Sequence, residues 1–155
     1  MYSNELVCNI LSYIDENFKN KITIDDLVSE FNYNRFYIMK LFKRELNISI
    51  IDYINTIKIY NSLNYINNNH SFLSCALING YYSLEYYSEM FKKILGVNPR
   101  TYKKIINRNR DVTIKELDTF TNNLAKIKRI IDKCNLYKTN IVPRTLPTKK
   151  LSLFK

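Results

Sequence analysis

The sequence contains very little glycine or proline. Only Gly80 and Gly96 occur among 155 residues, and the three prolines lie at position 99 or later. Because tight hairpins depend on such residues, their scarcity argues against a β-rich fold and favours long helices. Apolar residues make up 46% of the chain and charged residues 25%, which is typical of a packed core and excludes a disordered chain.

Paired cysteines are also missing. Cys8, Cys75 and Cys134 stand far apart, with no C-x-x-C spacing. This arrangement excludes both a disulfide framework and a zinc site, so we expect three reduced, buried thiols.

Long apolar runs and a basic leader are absent too. Asn, Asp and Lys interrupt every apolar stretch, and the first basic residue is Lys19. A bilayer span needs about 20 apolar residues and a secretory signal needs a basic start, so we expect a cytoplasmic protein with no membrane partner.

Catalytic groupings are equally scarce. His70, the only histidine, lies in an Asn-rich stretch that predicts a surface turn, and no glycine-rich loop is present to hold a phosphate. We therefore expect no enzyme activity, no metal and no cofactor.

Positive charge is concentrated late in the chain. Residues 1–106 carry 12 Lys and Arg against 10 Asp and Glu, whereas residues 107–155 carry 12 against 4. The net charge of +10 suggests an anionic partner, although a lysine-rich tail can also simply be solvated.

Apolar residues recur at three-residue and four-residue intervals, which predicts an all-α fold. Ser3, Thr23, Ser71 and Ser83 are placed to cap helices, and Pro99 suits a first helical position. The predicted helices cover 6–18, 24–31, 34–46, 49–67, 72–79, 83–95, 99–105 and 113–135.

An internal repeat relates the two halves of the first 106 residues. Phe42 and Tyr53 match Phe91 and Tyr102 at an offset of 49. The chain therefore contains two copies of one helix-turn-helix, joined by a long helix.

The two copies together resemble the DNA-binding domain of AraC/XylS-family bacterial transcription regulators, and the match is strongest in the second copy. The matching blocks are Ala76 to Tyr81, Tyr87 to Lys93 and Gly96 to Tyr102, and the likeness covers about 105 residues. It implies an AraC-type domain at 1–106, with a first unit at 1–48, a linker helix at 49–68 and a second unit at 69–106. An amphipathic extension at 107–135 and a basic, proline-containing tail at 136–155 follow.

The resemblance implies a sequence-specific, nucleoid-associated transcription regulator. Such a regulator would bind double-stranded DNA by placing helices near 34–46 and 83–95 in adjacent major grooves. An activator that contacts RNA polymerase is implied by the family alone. The alternative is a protein-interaction module, or a truncated regulator, acting through its C-terminal helix.

The resemblance also assigns base-reading positions. Lys40 suits guanine, while Phe36 and Met39 suit thymine methyl groups unless they belong to the core. Glu89 departs from the family, which often has arginine there, so the second unit either binds weakly or reads cytosine. The full set is Arg35, Phe36, Met39, Lys40, Leu84, Glu85, Ser88 and Glu89.

Cations beside these helices are candidates for phosphate contacts. They are Lys43, Arg44, Lys92, Lys93, Arg100, Lys103 and Lys104. Two positions depart from the family. Asn47 replaces glycine but tolerates a left-handed backbone, and Lys58 replaces arginine without its forked geometry.

Beyond residue 107 the resemblance ends. Thr113 and Glu116 form a capping box, and one apolar stripe follows. The stripe comprises Ile114, Leu117, Phe120, Leu124, Ile127, Ile131 and Cys134. It would pack on the DNA-binding domain, pair with a second copy through helix 113–135, or bind another protein. Residues 151–154 alternate like a strand.

Overall fold

The computed structural model describes residues 3–145, with side chains for residues 4–139, and this part of the chain is helical. The described elements are α1 (Ser3–Asn17), α2 (Ile24–Phe31), α3 (Arg35–Leu46), α4 (Ile50–Asn67), α5 (Phe72–Ile78), α6 (Leu84–Leu95), α7 (Pro99–Ile106) and α8 (Ile114–Thr145). The all-α prediction is confirmed, and no strand occurs among these residues.

Local side-chain chemistry sets the helix boundaries. At the start of α2, the Thr23 hydroxyl accepts from the Asp26 backbone N–H at 3.1 Å, and the Asp26 carboxylate accepts from the Thr23 N–H at 2.7 Å. Both bonds satisfy backbone donors that lack an intrahelical partner. Asn47 ends α3 in the left-handed region at φ 57°, as the sequence predicts, and Gly96 ends α6 at φ 80°.

The described chain divides into two compact units. Unit 1 comprises residues 3–18, 22–54 and 130–145, and unit 2 comprises residues 19–21 and 55–129. Helices α4 and α8 therefore contribute residues to both units.

In unit 1 the core lies between α1 and the inner face of α3. Ile10, Ile14, Ile38 and Phe42 are fully buried there. The Phe42 ring lies 5.8 Å from the Tyr53 ring, and the Tyr53 hydroxyl donates to the Asp15 carboxylate at 3.1 Å. An aromatic contact with a bonded hydroxyl thus holds α3 against the core.

Unit 2 repeats this contact at the predicted offset. The rings of Phe91 and Tyr102 lie 5.8 Å apart, and the Tyr102 hydroxyl donates to Asn67 at 2.7 Å. A second tyrosine, Tyr87, is fully buried and donates to Ser62 at 2.8 Å. The sequence repeat is therefore also a repeat of packing.

Helix α8 is longer than the sequence predicts. The prediction ended it near residue 135, whereas the structure continues the helix to Thr145. No glycine or proline occurs between residues 113 and 142, so the sequence contains no residue that would end the helix near residue 135. The predicted strand-like stretch at 151–154 lies outside the described residues.

The apolar stripe of α8 packs back on the folded chain, which is the first of the three alternatives. In unit 2 the Phe120 ring lies 5.3 Å from the Tyr102 ring. In unit 1 Cys134 is buried. The first turn departs from the predicted stripe, because Ile114 is 80% exposed and Leu117 is 44% exposed.

Two charged contacts hold the second half of α8 within unit 1. Lys138 forms an ion pair with Asp15, the residue that also accepts from Tyr53. Lys133 donates to the backbone carbonyl of Leu46, the last residue of α3, at 3.4 Å. Cations stabilise the negative end of a helix dipole, so Lys133 supports the C-terminus of α3.

All three cysteines are free and buried, as the sequence predicts. Burial raises the pKa of Cys8 and of Cys134 to about 11 and also raises the pKa of Cys75. The protonated thiol is therefore the dominant form of each at neutral pH.

Truncating the α8 stripe tests whether it is packed within one chain. Phe120→Ala should lower the free energy of unfolding by about 3 kcal/mol, because it empties a buried ring site. Ile114→Ala should change it by less than about 0.5 kcal/mol, since that side chain is exposed. Urea unfolding at two protein concentrations measures both effects. A loss that depends on protein concentration would contradict packing within the chain.

Thiol chemistry provides a second test of the fold. The native protein should resist a thiol reagent at pH 8, whereas the unfolded chain should react at three sites.

Unfolded thiols ionise near their ordinary pKa of 9.0, whereas folded Cys8 and Cys134 stay protonated to about 11. Unfolding free energy should therefore decrease between about pH 9 and pH 11. Cys8→Ala should show a shallower decrease, and an equal decrease would contradict the assignment.

Candidate nucleic-acid interface

Helix α3 has one buried face and one exposed face. Ile38, Leu41, Phe42 and Leu46 form the buried face. The side chain of Asn34 accepts from the backbone N–H groups of Phe36 and Tyr37 at 2.8 and 3.4 Å, which fixes the start of the helix. The exposed face is thus presented by a capped and well-packed helix.

The predicted base-reading residues of α3 all lie on the exposed side. Phe36 is 76% exposed and Met39 is 39% exposed, which excludes a core position for either. Lys40 is exposed and takes part in none of the ion pairs found among the described residues. Arg35 is exposed but pairs with Asp25 at 3.0 Å.

Grooves flank Lys40 on both sides of α3. One has a volume of about 480 Å³ and is lined by Ile24, Phe36, Met39, Lys40, Lys43, Ser49, Ile50 and Ile51. The other has a volume of about 240 Å³ and is lined by Tyr37, Lys40, Leu41 and Arg44. The exposed face of α3 therefore combines cations with apolar surface.

Helix α6, like α3, has one buried face and one exposed face, but its exposed face carries carboxylates. Ser83 accepts from the Tyr86 N–H at 3.1 Å and starts the helix, while Tyr87, Met90, Phe91 and Leu95 are buried. Leu84, Glu85 and Glu89 are exposed, and Ser88 is half-buried. No ion pair of the described residues engages either glutamate. The predicted residues thus share a face that is acidic rather than basic.

The candidate phosphate-binding cations are exposed or half-buried. Arg44 pairs with Glu45 at 3.2 Å, and Lys104 pairs with Asp111 at 2.8 Å. Surface ion pairs contribute less than about 1 kcal/mol, so a phosphate can displace the carboxylate. Lys43, Lys92, Lys93 and Arg100 are exposed and in none of the ion pairs of the described chain.

Lys58 lies in the interior of unit 2, away from the surface cations. It is 7% exposed and donates to the Gly80 carbonyl at 3.2 Å, with Nζ 5.2 Å from the centroid of the Tyr81 ring. Burial lowers the pKa of Lys58. A single hydrogen bond to a carbonyl needs no forked donor, so lysine meets the requirement at this position.

Sequence reasoning missed the α4 contribution to the larger groove. Ile51 is 45% exposed and lines it, whereas its neighbour Ile50 is buried. Adjacent residues on a helix point in different directions, so one of two consecutive isoleucines had to face outward. The pattern alone could not show that Ile51 faces the same groove as Phe36.

No helix within residues 3–145 has the length and apolar character required to cross a membrane.

Comparison with known proteins identifies one family. A profile of the helix-turn-helix domain family matches residues 27–105.

Relatives of known sequence are bacterial regulators. An uncharacterized response regulatory protein of Staphylococcus epidermidis is 30% identical over 103 residues, which are 66% of this chain and 41% of that protein. The transcriptional regulatory protein HptR of Staphylococcus aureus is 29% identical over 103 residues, with the same shares. The chain thus spans about 41% of the length of these relatives.

A solved structure supports the same assignment. The C-terminal domain of AraT, a response regulator from Geobacillus stearothermophilus, has a TM-score of 0.63 and 25% identity, covering 64% of this chain and 84% of that one. The profile match extends over both helix-turn-helix units. This chain belongs to the AraC-type helix-turn-helix family.

Proposed function

We propose that this chain is a sequence-specific, DNA-binding transcription regulator. The observation that carries the proposal is the exposed face of α3, where Phe36, Met39 and Lys40 project from a capped and packed helix. A helix of this kind fits the major groove and can contact base edges. Family membership and the regulatory relatives support the same function.

Helix α3 is proposed as the principal base reader. Lys40 has a long cationic side chain that can reach guanine O6 and N7. Arg35 can join it by releasing Asp25, because their ion pair is exposed and weak. Both residues lie near the N-terminal half of the helix, which approaches the base edges when such a helix enters the groove.

Helix α6 is proposed to read a cytosine. Its exposed carboxylates, Glu85 and Glu89, can accept a hydrogen bond from cytosine N4. Leu84 and Ser88 complete the set of candidate contacts on this helix. A carboxylate close to phosphates is otherwise repelled, so α6 contributes specificity rather than affinity.

Affinity is proposed to come from cations around both helices. Lys43 and Arg44 follow the base-reading residues on α3, Lys92 and Lys93 end α6, and Arg100, Lys103 and Lys104 lie on α7. Lysine and arginine bound to phosphates release counterions, which makes binding weaken as salt rises.

The domain boundaries are proposed with the function. Residues 1–106 would form the DNA-binding domain, with helix-turn-helix copies at 1–48 and 69–106 joined by a linker helix at 49–68. The extension at 107–135 is part of the folded units, because Phe120 and Cys134 are buried. Burial of Phe120, Ile127 and Cys134 removes these side chains from the surface available to an interaction module or to self-association through this helix.

Activation of transcription through RNA polymerase is a further part of the proposal, and it rests on the family alone. An AraC-type regulator of this kind acts at the nucleoid, so the proposed location is the cytoplasm.

Two substitutions on α3 separate base reading from phosphate binding. Lys40→Ala should weaken binding by about 1 to 3 kcal/mol and relax preference at one base pair. Lys43→Ala should weaken binding to all sequences alike and reduce its salt dependence. Affinities for single-base-pair variants of a selected site, at several salt concentrations, test both. If Lys40→Ala keeps the base preference of the parent chain, the proposed placement of α3 in the major groove is wrong.

Glu89→Gln tests the role of α6. If Glu89 accepts from cytosine N4, the variant should lose preference at one cytosine by about 1 kcal/mol or more. Asp118→Asn is a matched control, since it removes an exposed charge from α8. If Glu89→Gln instead tightens binding to every sequence, Glu89 only repels phosphates.

A further inference from the structure

A lysine of α8 meets a lysine of α3 at the C-terminal end of α3, within unit 1. The ammonium group of Lys133, from α8, donates to the backbone carbonyl of Leu46 at 3.4 Å. The ammonium group of Lys43, from α3 itself, donates to the next carbonyl, that of Asn47, also at 3.4 Å. Because the two carbonyls belong to consecutive residues, the two ammonium groups lie close together.

Both lysines keep hydrogen-bonding capacity for a further partner. An ammonium group has three donors, and each of these two donates to one carbonyl. Their bonds of 3.4 Å are long, whereas a bond from an ammonium group to an anionic oxygen measures about 2.8 Å and is stronger. Lys43 and Lys133 are exposed, and neither belongs to an ion pair among residues 3–145. Each can therefore bind an anion without releasing a carboxylate.

The local charge is positive even though a helix ends here. A helix C-terminus carries the equivalent of about half a negative charge, whereas the two ammonium groups carry a full positive charge each. The neighbouring ion pair of Arg44 and Glu45, at 3.2 Å, is neutral as a whole. The positive charge thus exceeds the negative charge, and this end of α3 attracts anions.

On α8 itself, Lys133 continues a basic face. Lys126 and Arg129 precede it by seven and four residues, so the three side chains lie within an arc of about 60° around the helix. All three are exposed, and none is in an ion pair of the described chain. Neighbouring like charges on a helix repel each other and lower its stability. A polyanion would remove that repulsion, so this face fits the phosphate backbone of DNA.

We propose that Lys133 is an additional phosphate-binding residue, which contacts the DNA backbone beside Lys43. Phosphate contacts fix the position of a protein on the duplex without reading its sequence, so Lys133 would add affinity and help to hold α3 in the groove. Lys133 lies outside residues 27–105, which the family profile matches, so this contact would come from the extension. The inference rests on the proposed DNA-binding function.

The salt dependence of binding provides the test. Dissociation constants of the full chain for a selected duplex and for an unrelated duplex are measured from about 50 to about 200 mM salt. Lys133→Ala should weaken binding to both duplexes and lower the slope of log affinity against log salt by about 0.9. Its loss of affinity relative to the parent chain should therefore shrink about 3.5-fold across that range.

Matched variants separate phosphate binding from support of α3. Lys133→Arg keeps the charge and should keep the slope of the parent chain. Lys128→Ala removes another exposed cation of α8, about 140° around the helix from Lys133, and should also keep that slope. Thermal unfolding of each variant measures how much Lys133 stabilises the end of α3.

The outcomes separate this inference from the function it rests on. If Lys133→Ala weakens binding but keeps the slope of the parent chain, Lys133 acts only by supporting α3 and the inference is overturned. An equal decrease of the slope in Lys128→Ala also overturns it, because total charge would then explain both. In either case the proposed function stands. A folded parent chain that binds no duplex at low salt overturns the proposed function itself.

Discussion

The contact between a phenylalanine of α3 or α6 and a tyrosine of the following helix underlies both units. Phe42 meets Tyr53 and Phe91 meets Tyr102, each with ring centroids 5.8 Å apart. Both tyrosine hydroxyls are hydrogen-bonded, so neither ring can rotate away without losing a bond. Because this contact fixes the inner face of each helix, it also determines which residues face outward.

Helix α8 supports α3 and α6 at their C-terminal ends. In unit 2 a Cβ at Gly96, the residue that ends α6, would lie 2.4 Å from Cγ2 of Thr119. In unit 1 Lys133 donates to the last carbonyl of α3. The helix lies beyond the residues that the family profile matches, yet each unit uses part of it as core.

Much of the fold was predictable because its signals are local. Helix ends are set by the hydrogen bonds or backbone angles of single residues, such as Thr23, Ser83 and Gly96. The period of the apolar residues identifies the buried faces. The partner of the α8 stripe was not predictable, since periodicity shows that a face is buried but not what covers it. The groove beside Phe36 was missed for the same reason, because three helices form it and each pattern describes only one helix.

Selection of binding sites from random duplex DNA, with the full chain near physiological salt, tests the central claim most directly. Enrichment of two short blocks is expected, one of them containing the cytosine proposed for α6. A folded chain that enriches no sequence would contradict it, since the exposed faces of α3 and α6 would then serve something other than DNA.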